Sequence, residues 1–154
     1  MVSERIRKLT AAGFGTAELA VTLALVAVLA TVSAPSLLAS WRASTLRAGA
    51  EELAAAVNLG RQLAITHNVP VCIAVAGADV RFEGARAGAC SGVAVPGAAA
   101  VRLASGLVVR AVGTGVVFTG LGAATPAGRY VVVNPADGGT RSVVVAASGR
   151  VSVQ

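Results

Sequence analysis

Few residues in this chain have chemistry to offer, and they are widely spaced. Glu18 lies between Phe14, Ala17 and Leu19 at the border of an apolar stretch. An ionised carboxylate there is costly unless a cation pairs with it. Either Glu18 finds such a partner, or it marks the interfacial end of a membrane anchor and reaches into headgroups. Cys72 and Cys90 are the only cysteines. An oxidising compartment permits a disulfide between them, closing a loop of roughly 18 residues and contributing about 3 kcal/mol in the chain-entropy model. Two buried thiols are the open alternative, because pairing geometry is not readable from sequence. His67, the single histidine, falls where a helical pattern ends, and contact with the terminal carbonyls accounts for it. Beyond residue 100 five arginines (Arg102, Arg110, Arg129, Arg141, Arg150) stand against one acid, Asp137. That balance leaves phosphate contact open. The chain contains no nucleophile elbow, no phosphate loop with Gly-Lys-Ser/Thr and no His/Cys metal spacing. These absences point away from an enzyme and call for no cofactor and no metal.

The elements that position these groups follow from composition and periodicity. The 154 residues suffice for one ordinary domain plus an appended segment. Hydrophobic residues make up 55% and charged ones only 13%, which with the apolar excess near the N-terminus points to a membrane segment. Leu19 to Trp41 gives 23 consecutive uncharged residues, and about 20 suffice for a helix to cross the hydrocarbon core. Arg5, Arg7 and Lys8 precede it, so the positive-inside tendency keeps the leader cytoplasmic and sends the chain after about residue 42 outward. The net charge of +6 comes mostly from singly scattered arginines and reads as a solvated basic surface. With Trp41, Tyr130, Phe14, Phe82 and Phe118 as the only aromatics, a base-stacking platform is not indicated.

After Arg42, Leu46, Ala50, Leu53, Val57, Gly60 and Ala64 recur at helical spacing, predicting one helix from about Phe14 to His67 that ends at Asn68 and Pro70. Short β-branched runs follow: 71–75, 80–82, 101–103, 107–112, 116–119, 130–134, 142–146 and 151–153. Asn134-Pro135-Ala136-Asp137-Gly138-Gly139 predicts a hairpin turn, and the Gly/Ala-rich stretch 84–100 reads as a mobile loop. The expected fold class is α+β, a long helix packed on a small antiparallel β domain.

A short basic leader ending in Gly13, followed by Phe14 and by Glu18 as the fifth residue after the leader, resembles the class III signal of type IV prepilins. The resemblance implies that a prepilin peptidase cuts between Gly13 and Phe14 and methylates the new amine. It also implies that Glu18 is neutralised by the Phe14 ammonium of a neighbouring subunit, setting axial register. Pro35, at position 22 of such a mature chain, matches the proline that kinks many pilin helices. Within that superfamily, Leu59 to Ile65 with Val69-Pro70-Val71, then Val117 to Gly122, Arg141 to Val145 and Ser148 to Val151, resemble the GspH/FimT group. DNA-binding members of the group carry Gly-Arg-x-Arg, whereas Gly149-Arg150-Val151-Ser152 has only the first arginine.

The resulting expectation is a leader over 1–13, a transmembrane helix over 14–41, an amphipathic helix over 42–68 and an extracytoplasmic β domain over 69–154. The implied protein is a structural minor pilin or pseudopilin, single-pass in the inner membrane with its C-terminal domain periplasmic, in a type II secretion or type IV pilus filament. Its partners are other pilins, the prepilin peptidase and the inner membrane. Two alternatives stand beside it. One is a DNA-binding minor pilin in DNA uptake, using Arg129, Arg141 and Arg150 on phosphates. The other is a secreted domain released by an ordinary signal peptidase after Val32-Ser33-Ala34, although Pro35 directly after that site should block cleavage.

Overall fold

The apolar stretch and the amphipathic stripe lie on one helix, α1 (Thr16–His67), in the computed structural model, which describes residues 15–103 and 106–154. The chain divides into two compact units, one reaching to Ser40 and one from Trp41 to Gln154. In the first unit the described side chains of α1 are exposed all round, Leu19 at 55%, Leu29 at 67% and Leu37 at 71%. The helix is long and apolar enough to cross a membrane, with a mean hydropathy of 2.1 over an 18-residue window. Its hydroxyls are satisfied within the helix: Thr22, Thr31 and Ser36 donate to the carbonyls of Leu19, Val28 and Ser33 at 2.9, 2.8 and 2.9 Å. Such back-bonding removes the polar cost of those side chains in a hydrocarbon setting. Pro35 sits inside the helix and supplies no amide donor to it.

In the second unit the stripe expected from spacing is the buried one: Leu46, Ala50, Leu53, Val57, Gly60 and Ala64 all face the core. The helix ends in a Schellman arrangement. Asn68 takes a left-handed φ of 51°, its amide donates to Ile65 O at 3.3 Å, and the Val69 amide donates to Ala64 O at 3.2 Å. Asn tolerates that backbone better than most side chains, so it stops the helix and turns the chain into the first strand.

Nine strands follow among the described residues. One sheet holds β1 (Val71–Ala76), β2 (Asp79–Arg86), β3 (Ala89–Ala94), the two-residue β4 (Val101–Arg102) and, beyond β5 (Val108–Val112), β6 (Val116–Phe118). Its order is β3-β2-β1-β6, with β4 also paired to β2. The second sheet has the order β5-β7-β8-β9, with β7 at Gly128–Val133, β8 at Thr140–Val145 and β9 at Val151–Val153. All pairings are antiparallel. Leu53 and Val57 from α1, Ile73, Phe82 and Phe118 from the first sheet, and Tyr130, Val132 and Val143 from the second form one core. The tip of the β1–β2 hairpin ties the sheets together, since Gly77 O accepts the Val109 amide at 2.7 Å.

Each β-branched run became a strand; 151–153 coincides with β9, and the others differ at one or both ends, as is usual for boundaries. The stretch 84–100 is a correction. Residues 84–86 complete β2, and Ala89–Ala94 form β3 rather than a loop. β3 leaves almost every side chain exposed, so it carries no alternating burial signal. It is held instead by backbone pairing to β2 and by the Glu83 carboxylate, whose Oε2 accepts the Gly92 amide at 3.0 Å.

Candidate functional site

The residues expected to matter for assembly are Gly13, Phe14 and Glu18. Gly13 and Phe14 fall outside the described residues. Glu18 stands in the first turn of α1, exposed, with its amide bonded to Gly15 O at 3.0 Å. A carboxylate at this end of a helix is stabilised by the unpaired N–H groups there. No ion pair involves Glu18 among the described residues. Its side chain is thus presented outward, where a cation from another chain can reach it.

In the second unit the two cysteines meet. Cys72 on β1 and Cys90 on β3 are joined as a disulfide with a Cα–Cα separation of 5.2 Å. The bond reaches over β2, whose register shifts between Glu83 and Ala85, and so fastens an edge strand that buries little apolar surface. The loop closed is 18 residues, for which the chain-entropy model gives about 3 kcal/mol.

Three segments far apart in the chain converge at the lower end of α1. Arg61, half-buried, donates from Nε to Gly122 O at 2.9 Å. Gly122 (φ 80°) and Gly149 (φ 81°) are both left-handed, and a Cβ at Gly149 would strike Gly122 O. Gly120 packs its backbone against Asn68, the residue that ends the helix. Here the glycines are required by close approach as well as by φ. The cluster locks the β6–β7 and β8–β9 connections onto the helix.

The three arginines considered for phosphate contact do not form one patch. Arg129 pairs with Val144 and Val112, on the outer side of the second sheet, and Arg141 pairs with the buried Val132, on the opposite side by alternation. Arg150 is exposed in the turn before β9. His67 is exposed in the last turn of α1. Among the described residues no three His, Cys, Asp or Glu side chains are grouped as metal ligands would be. A surface hollow of about 670 Å³ beside β2 and β3 is lined by Gly84, Arg86, Cys90 and Val93, with Arg86 its one ionic side chain.

A profile of the family described as type II transport protein GspH matches residues 49–149, from the buried half of α1 through the Gly149 turn. The chain belongs to the GspH family. Among curated proteins none matches the sequence. Solved structures share the fold, among them the following two. The type IV minor pilin FimU of Pseudomonas aeruginosa superposes with a TM-score of 0.56 at 19% identity, over 73% of this chain and 90% of that one. The E. coli GspH solution structure gives 0.50 at 17% identity, over 72% and 88%. Both matches reflect architecture, a helix packed on two antiparallel sheets.

The GspH-type domain contains one organising residue that no sequence pattern marks. Tyr130, on β7, is fully buried and sends its hydroxyl to the other sheet. It accepts the Val116 amide at 2.9 Å and donates to Ile73 O at 3.0 Å, at the last pair of the β1–β6 ladder. Desolvation by burial raises the phenol's pKa well above its usual range, and the hydrogen bond from Val116 opposes that only in part. Its signal in the sequence is slight: it is the chain's single tyrosine, set among valines.

Proposed function

We propose that this GspH-family chain is a structural minor pilin or pseudopilin that enters a filament anchored in the inner membrane, in a type II secretion or type IV pilus system. The observation supporting this most directly is α1, apolar and exposed on every side up to Ser40 and carrying a buried stripe in the β domain from Leu46 to Ala64. A helix apolar all round needs lipid or other helices about it. In this reading the peptidase removes residues 1–13, the methylated Phe14 begins the mature chain, and Glu18 pairs with the Phe14 ammonium of the next subunit. Pro35 kinks the spanning segment. The domain from about residue 42 lies in the periplasm, an oxidising compartment that suits the Cys72–Cys90 bond. The role is to bind other subunits, not to convert a substrate.

The test is the intact mass and N-terminal sequence of the protein extracted from membranes. The expected product starts at an N-methylated Phe14. A start at Pro35 would assign the segment to an ordinary signal peptide, and a retained Met1 would show that no processing occurs; either result overturns the proposal.

A further inference from the structure

The second sheet covers the core with only one of its faces. Along β7 Tyr130 and Val132 point inward, so Arg129, Val131 and Val133 point outward. Cross-strand pairing extends that outer face to Arg110 and Val112 on β5 and to Val144 on β8. None of these four valines belongs to the buried core or packs against it, and Val112 is 57% exposed.

Arg110 pairs with Val131 and Arg129 with Val112, which makes the two arginines diagonal neighbours in register on this face. Both are exposed, and neither is in an ion pair; the ion pairs among the described residues are Arg47–Glu51 and Arg102–Asp79. β5, β7 and β8 contain no Asp or Glu. Two like-charged residues thus occupy diagonal positions among valines on this face, with no ion-pair partner among the described residues, an arrangement that an incoming carboxylate would complement. An apolar centre flanked by arginine is the composition of a protein contact. A track for single-stranded nucleic acid would instead carry aromatics for stacking, and this face has none.

We propose that this outer face docks an acidic face of a neighbouring filament subunit, whose carboxylates meet Arg110 and Arg129 while its aliphatic side chains cover Val131 and Val144. The inference rests on the filament reading and assigns a contact to the β domain in addition to any made by α1. Electrostatic complementarity of this kind fixes orientation and partner choice.

The experiment places a photo-cross-linking benzoylphenylalanine at Val131, or at the more exposed Val112, in the full-length protein within cells that hold its native filament system. A parallel probe at Leu29 reports assembly through α1, and adducts are identified by mass spectrometry. Expected are adducts with pilin-family subunits from both regions. Arg110→Glu with Arg129→Glu should lower the sheet adduct about tenfold while sparing the one from Leu29. Adducts from Leu29 alone, sheet adducts indifferent to charge reversal, or adducts with nucleic acid would each overturn the docking surface and leave the filament reading standing. Absence of subunit adducts from every position would overturn the filament reading and the docking surface with it.

Discussion

Replacing Tyr130 with Phe removes one oxygen and leaves the packing volume unchanged. That hydroxyl satisfies the Val116 amide and the Ile73 carbonyl in the core, so its loss strands two backbone groups away from water. Each unsatisfied group costs about 1–3 kcal/mol, which for two groups sets the expected loss at about 2–6 kcal/mol. For a domain of about 100 residues this corresponds to a fall in Tm on the order of 10 °C or more. The assay is urea and thermal unfolding of a fragment spanning 41–154, the part that packs as a unit by itself. Alkaline titration supplies an independent readout. Because burial raises the Tyr130 pKa, the folded chain holds the phenolic proton more tightly than the unfolded chain. Stability from this group is therefore fully present below pH 10, where the unfolded phenol titrates, and falls as pH rises, by up to about 1.4 kcal/mol per unit. Tyr130→Phe should flatten that decline. As the chain has a single tyrosine, tyrosinate absorbance reads the group directly. Titration near pH 10 in the folded fragment, or a Phe variant within about 0.5 kcal/mol of the parent, would refute the assigned role.

Glu18→Val should insert in the membrane as the parent does but no longer co-purify with other pilin subunits; undiminished co-purification contradicts the proposed register contact. The double substitution Cys72→Ser, Cys90→Ser should lower the stability of the 41–154 fragment by about 3 kcal/mol and hasten proteolysis within 84–100, since β3 has little apolar burial to hold it. A cleavage pattern identical to the parent's would show that backbone pairing alone secures β3. Gly149→Ala forces a methyl group against Gly122 O at a left-handed residue and should destabilise by more than about 2 kcal/mol in the same unfolding assay. Leu53→Ala, at the centre of the helix–sheet core, should cost about 2–5 kcal/mol.

Periodicity is a local property, and the features it governs are legible in the amino-acid order. The spacing of Leu46, Ala50, Leu53, Val57, Gly60 and Ala64 defines one helix face because a helix repeats every 3.6 residues, and that face is the buried one. The turn at 134–139 is equally legible. Asn134 and Asp137 bond nearby amides, Ala136 N to Asn134 Oδ1 and Gly139 N to Asp137 Oδ1, and Gly138 accepts a φ of 71°. The resemblance carried by Gly13, Phe14 and Glu18 is a matter of residue order alone, and of those three the structure describes Glu18.

By itself the sequence determined the elements and their polarity: an apolar stretch long enough to span a membrane, an amphipathic continuation, β-branched runs and the turns between them. Each depends on neighbours a few residues away. Only the tertiary structure decided which distant groups meet. β3 was hidden because its exposed Ala, Ser, Gly and Val side chains show no alternation, and it exists through pairing with β2 and the bond from Cys90 to Cys72. Tyr130 reaches Ile73 and Val116 across two sheets, and Arg61 reaches Gly122, contacts that no local pattern encodes. Arg129 and Arg141, both odd-numbered, fall on opposite sides of one sheet because the register sets odd positions of β7 opposite even positions of β8, Arg129 against Val144 and Val132 against Arg141.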